Sequence, residues 1–91
     1  GSVFVSVVLD GKGEVLGDPQ VRLMGLPEED SHGIPFEDRA LDAVDDALDR
    51  LPMKRRKNDD DVAEFLRRAV RGALRREWGK KAQVAVVVTR I

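Results

Sequence analysis

In VFVSVVLD, Val3 to Asp10, apolar and mostly β-branched side chains occupy almost every position, the pattern of a strand that is central or covered on both faces. DGKGEV follows, where Gly11 and Gly13 supply the positive φ angles of a tight reversal, so the next strand is expected to return antiparallel. That strand falls within Glu14 to Leu26 and is interrupted near Gly17-Asp18-Pro19, because Pro19 has no N–H to give a ladder. PEEDSHGIP, Pro27 to Pro35, is polar, bracketed by prolines, and reads as a loop. In FEDRALDAVDDALDRL, Leu41, Val44, Leu48 and Leu51 recur at three- and four-residue spacing with Ala40 and Ala47 beside them, predicting an amphipathic helix that Pro52 ends. Val62, Phe65, Leu66, Ala69, Val70, Ala73 and Leu74 mark a second helix of about five turns, with Gly79 as its C-terminal cap. QVAVVVTRI closes the chain with the character of the first strand.

This β-β-α-α-β order predicts an α+β fold. Two helices with one apolar stripe each and a three-stranded sheet make a two-layer sandwich with both helices on one face. The two most apolar strands, first and last, are expected side by side, giving strand order 2-1-3 and a mixed sheet with the last strand parallel to the first. By alternation Phe4, Ser6 and Val8 point to one side of the first strand and Val3, Val5 and Val7 to the other, while Val84, Val86 and Val88 oppose Ala85, Val87 and Thr89 in the last. Both faces are largely apolar and the helices cover only one, so Phe4, Val8, Val84, Val86 and Val88 become candidate interface residues. Trp78, at the end of the second helix, either closes the core or anchors that interface.

Charge changes the picture locally. Charged residues make up 36% of the chain, but 16 Lys and Arg against 17 Asp and Glu leave no overall field for a polyanion. Eleven of the sixteen cations nevertheless lie between Lys54 and Lys81. In MKRRKNDDD, Met53 to Asp61, the acidic half reads as the capped start of the second helix, with Asn58 or one of the following aspartates as N-cap, and the basic half as a solvated connection. Lys54, Arg55, Arg56 and Lys57, together with Arg67, Arg71 and Arg75 along one flank of the helix, are the candidate RNA contacts, with a solvated face or ion pairing as the competing reading.

Catalytic chemistry is not encoded in any recognisable pattern. His32 stands alone in an acidic loop without the ligands zinc requires or a partner for acid–base work. Asp45-Asp46 and Asp59-Asp60-Asp61 diverge around their helices, and there is no phosphate loop, nucleophile elbow or paired-His motif. No catalytic or metal residue is assigned, and no cofactor is expected in this fragment. The absence of cysteine suits a reducing compartment, no apolar run reaches membrane-spanning length, and a cytoplasmic protein without membrane contact is expected. Gly1-Ser2 reads as a remnant of tag removal, leaving residues 3–91 as one domain cut from a longer protein.

VFVSVVLDGKGEVLGDPQVRLMGLPEED, the Asp/Ala/Leu-rich helix, the helix ending ALRREWGKKAQ and the closing VAVVVTRI together resemble the C-terminal domain of bacterial ribonuclease J over nearly the whole chain. The resemblance implies a parent of the metallo-β-lactamase type with 5′-to-3′ exonuclease and endonuclease activity on RNA, using zinc to activate water. It implies that this domain is a non-catalytic accessory to that enzyme, acting through self-association or through the rest of the parent chain and supporting full activity. The alternative is an RNA-binding module built on the basic second helix.

Overall fold

The computed structural model describes all 91 residues. Strand β1, Ser2–Leu9, is the centre of a three-stranded sheet. It pairs antiparallel with β2, Gln20–Met24, and parallel with β3, Gln83–Arg90, giving the expected order β2-β1-β3. Helices α1, Phe36–Arg50, and α2, Asp59–Trp78, complete the β-β-α-α-β sequence.

Between β1 and β2 the chain reverses at Gly13, whose φ of 89° is open to glycine and strained for other residues. The Asp10 carboxylate accepts from the backbone N–H groups of Lys12 (2.8 Å) and Glu14 (3.0 Å), an Asx-type closure of the turn. Leu9 and Val15 then bridge once before the chain leaves the ladder, and regular pairing resumes only past Pro19. The break expected around Gly17-Asp18-Pro19 is therefore present, and β2 is left short.

Asn58 is the N-cap of α2, its Oδ1 accepting from the Asp61 N–H at 3.1 Å, and Gly79 closes the helix at φ 78° while donating to Arg75 O at 2.8 Å. Helix α1 has no side-chain cap at Pro35. Its buried stripe also differs from expectation. Ala40, Val44, Ala47, Leu48 and Leu51 are enclosed with Phe36, whereas Leu41 stays half-buried at the margin. The alanines occupy the centre of the contact, where a short side chain allows close approach of the helix to its neighbours.

The core joins Val3, Val5, Val7 and Leu9 of β1 to that stripe and to Val62, Leu66, Val70 and Leu74 of α2. Burying each such side chain contributes roughly 1.5–3 kcal/mol before entropy is counted. Only one face of β1 is enclosed in this way, so the helices and the sheet form the two layers predicted and the second sheet face is uncovered.

Candidate functional site

Register decides what the uncovered face presents. Val3, Val5 and Val7 lie opposite Val84, Val86 and Val88, and paired residues share a face, so these three β3 valines turn to the helices and pack against the core. This corrects their placement on an open interface. The open side of β3 carries Ala85, Val87 and Thr89, beside Phe4, Ser6 and Val8 of β1 and Gln20, Arg22 and Met24 of β2. Phe4 (48% exposed), Val87 (60%) and Met24 (62%) are its large apolar side chains, and Val8, half-buried, lies further along β1 beside Thr89. Trp78 is half-buried against the core with the Lys80 ammonium 5.4 Å from its ring centre, so the core reading accounts for it.

Beside this face runs the free edge of β3. Gln83 donates to Gly1 O (3.0 Å) and Ile91 to Leu9 O (2.9 Å), so the odd-numbered residues of the strand direct their amides to β1. Val84, Val86, Val88 and Arg90 therefore present N–H and C=O groups outward along an eight-residue edge that contains no proline and no charge before Arg90.

The basic segment is not a uniform solvated run. Arg55–Lys57 form a 3₁₀ turn, and the Arg56 guanidinium reaches inward to three carbonyls. Nε donates to Leu51 O (3.1 Å), Nη1 to Gly13 O (3.3 Å) and Nη2 to Leu48 O. Helix α1 ends with unpaired carbonyls, Pro52 has no N–H to offer them, and Arg56 supplies the donors. Arg90 locks the same corner from the end of β3. It donates to Asp10 O (2.9 Å), Arg56 O (2.7 Å) and the Asp59 carboxylate (2.6 Å). Gly13 packs so tightly here that a Cβ would stand 2.6 Å from Arg56 Cβ. Arg56 is thus a structural clamp and not a free RNA contact. Neither Arg90 nor Gly13 was singled out by sequence as a partner for it, because the three segments are far apart along the chain.

The remaining candidates divide further. Arg55 lies over the Phe65 ring at 5.9 Å and 3.9 Å from Asp61. Arg67 donates through Nε and Nη2 to the two oxygens of Glu64 (2.9 and 2.7 Å), which Arg68 also engages at 2.7 Å. Those hydrogen bonds, from Arg67 first and Arg68 second, draw the Glu64 pKa down to about 2 and raise that of Arg67. Arg71 and Arg75 carry no ion pair, but Arg75 is sixteen positions past the start of α2 at Asp59, about 24 Å away at 1.5 Å per residue. The stripe is therefore interrupted, and it is separate from the connection at the other end. Lys54 and Lys57 do meet a third cation, Lys12 of the β1–β2 turn, around a shallow concavity floored by Gly11 and Met53. The groove between the helices instead opposes Arg39, Arg50 and Arg76 to Asp42, Asp46 and Glu77, a balanced set.

Asp30 organises the acidic loop. Its Oδ1 accepts from the His32 (2.8 Å) and Ile34 (3.0 Å) amides and its Oδ2 from Arg39 Nε (2.7 Å). Burial works to raise this carboxyl, but the Ile34 amide, the Arg39 guanidinium and the His32 amide together hold it below the usual range. His32 itself is exposed. No three His, Asp or Glu side chains converge anywhere, so the donor set does not fit a zinc centre. No helix is long and apolar enough to cross a membrane.

The domain thus presents an open apolar face and an unpaired strand edge, and comparison with known proteins gives its family. The family model described as the ribonuclease J C-terminal domain matches residues 1–91. The chain belongs to that family. It is also similar to a ribonuclease J from Sinorhizobium meliloti (strain Sm2011 / Rm2011 / 2011), with 45% identity over 91 residues, covering all of this chain and 16% of that protein. The polar side chains of Asp30, Arg56 and Arg90 are taken up by clamps and loop closure. The chain spans about one sixth of the length of the relative it matches.

Proposed function

We propose that this domain serves a ribonuclease J by joining copies of the enzyme, and that the association supports full activity of a zinc-dependent exo- and endoribonuclease in cytoplasmic RNA processing and decay. The zinc and its ligands belong to the rest of the parent chain. The observation that carries the reading is the unpaired β3 edge, flanked by an uncovered sheet face on which Phe4, Met24 and Val87 stand exposed. Apolar surface left open in this manner gains most from a partner. A second copy suits the edge. Antiparallel pairing of two β3 strands about Val86 makes six hydrogen bonds from the outward amides of Val84, Val86 and Val88, and sets each Ala85 against a Val87 of the other copy. Small then meets large, and no like charges oppose.

Sedimentation equilibrium of the 10.1 kDa chain tests this. A species of twice that mass is expected, and Val87→Lys returns it to the monomer mass. A strict monomer at high concentration removes self-association by this domain.

A further inference from the structure

We propose that Lys12, Lys54 and Lys57 form a binding site for the phosphodiester backbone of single-stranded RNA, at the end of the sheet where β1 and β3 finish. This rests on the ribonuclease parentage of the domain and is independent of self-association. The three ammonium groups come from two loops and line one concavity with Gly11 and Met53. All three lysines are exposed, and none lies within ion-pair distance of a carboxylate. Three neighbouring acids have other hydrogen-bond or ion-pair partners, although Lys12 is still within Coulombic reach of Asp10. Asp10 is turned to the amides of its own loop, Asp59 to Arg90, and Asp61 faces Arg55.

The loops that carry the lysines are also fixed to one another. Arg56 donates to Gly13 O at 3.3 Å, Arg90 bridges Asp10 O and Arg56 O, and Gly13 fits against Arg56 with no room for a side chain. Two short segments more than forty residues apart are thus clamped with their lysines on one side. A site held in place before its ligand arrives loses less entropy on binding. Compact ammonium charges on flexible stems suit successive phosphates without demanding a fixed geometry. The only apolar lining side chain is the thioether of Met53, and no aromatic platform for bases is present, so contacts fall on the backbone and carry little sequence preference. The other charged surfaces are poorer sites. The interhelical groove is balanced in sign, and Arg67 and Arg68 share the charge of Glu64.

Fluorescence anisotropy of a 5′-fluorescein oligouridylate titrated with the 91-residue chain at several salt concentrations reads the site. Three phosphates at about 0.7 per contact give a log–log slope near −2, or about a fifteenfold loss of affinity between 50 and 200 mM salt. The K12A/K54A/K57A triple variant, checked for an unchanged circular-dichroism melt, is expected to lose this binding, while R71A/R75A keeps it. The proposal is overturned if the triple variant binds with unchanged affinity and slope, if R71A/R75A carries the loss instead, or if the wild-type chain shows no binding at low salt. Competition by polyglutamate as effective as RNA at equal charge also overturns it, by assigning the site to acidic peptides.

Discussion

Replacing Arg56 by Ala separates a clamp from a solvated cation, because the two roles predict stabilities far apart. The guanidinium donates to Leu48 O, Leu51 O and Gly13 O, and the side chain is half-buried. A hydrogen bond with one charged partner contributes about 1.5–3 kcal/mol net. Three of them would suggest far more than is realised, since the Gly13 bond is long at 3.3 Å and ordering an arginine costs up to about 2 kcal/mol. The expected loss is about 3 kcal/mol, a large share of the roughly 5–15 kcal/mol that stabilises a domain. With a urea m-value of about 1.5 kcal/mol/M, the unfolding midpoint falls by about 2 M. Lys57→Ala, one residue away and fully solvated, is expected to stay within about 0.5 kcal/mol of wild type. Arg56→Lys should recover only part of the loss, because one ammonium cannot span three carbonyls on two segments. If the Arg56→Ala midpoint matches that of Lys57→Ala, the clamp does not stabilise the fold and the inward guanidinium is dispensable.

Gly13→Ala combines a positive φ with a Cβ 2.6 Å from Arg56 Cβ, and is expected to cost about 2–4 kcal/mol in urea unfolding, more than the same change at the open Gly11. Asp30→Ala strips two loop amides and Arg39 of their acceptor and should cost about 3 kcal/mol, with hydrogen exchange accelerating first at Ile34. Glu64 has a folded pKa of about 2 against an ordinary 4.5, so its pairing with Arg67 and Arg68 stabilises the fold above pH 4.5 and is lost as pH falls toward 2. Thermal melts across that window should therefore show a shallower pH dependence for Glu64→Gln than for wild type. Val87→Lys should abolish dimer mass without lowering the melting temperature of the monomer, whereas Val86→Lys, directed at the helices, should destabilise the fold.

Element order and strand order were legible because each follows from periodicity and from the chain's few breaks. Pro52 and Gly79 bound the helices, and β1 and β3 stand out by their β-branched density. The face of β3 was not legible. Val84, Val86 and Val88 alternate with Ala85 and Val87, so either parity gives a plausible inner face, and only the pairing of Val3 with Val84 selects one. Ser6 made the same choice readable in β1. Which of four adjacent cations turns inward was likewise hidden, although one signal existed: a helix ending at Leu51-Pro52 needs a donor for its last carbonyls, and a basic residue shortly afterwards is a natural source. Lys12 escaped notice as a site residue because it is a lone cation in its own segment, and its companions are supplied by the fold.

The β3 edge and the lysine corner lie on different surfaces and should respond differently to salt, which makes the two proposed roles separable in one molecule. Edge pairing of β3 rests on backbone hydrogen bonds and on Ala85–Val87 contacts, none of them charged, so this association should hold as salt rises. Attachment of phosphates to Lys12, Lys54 and Lys57 depends on released counterions and should weaken steeply over the same range. Pairing two β3 edges would also place two lysine corners in one dimer. Each corner is weak alone, but a strand of RNA long enough to reach both would gain from effective concentration without any new contact. A near-neutral domain could then retain RNA through geometry that its net charge of −1 does not reveal.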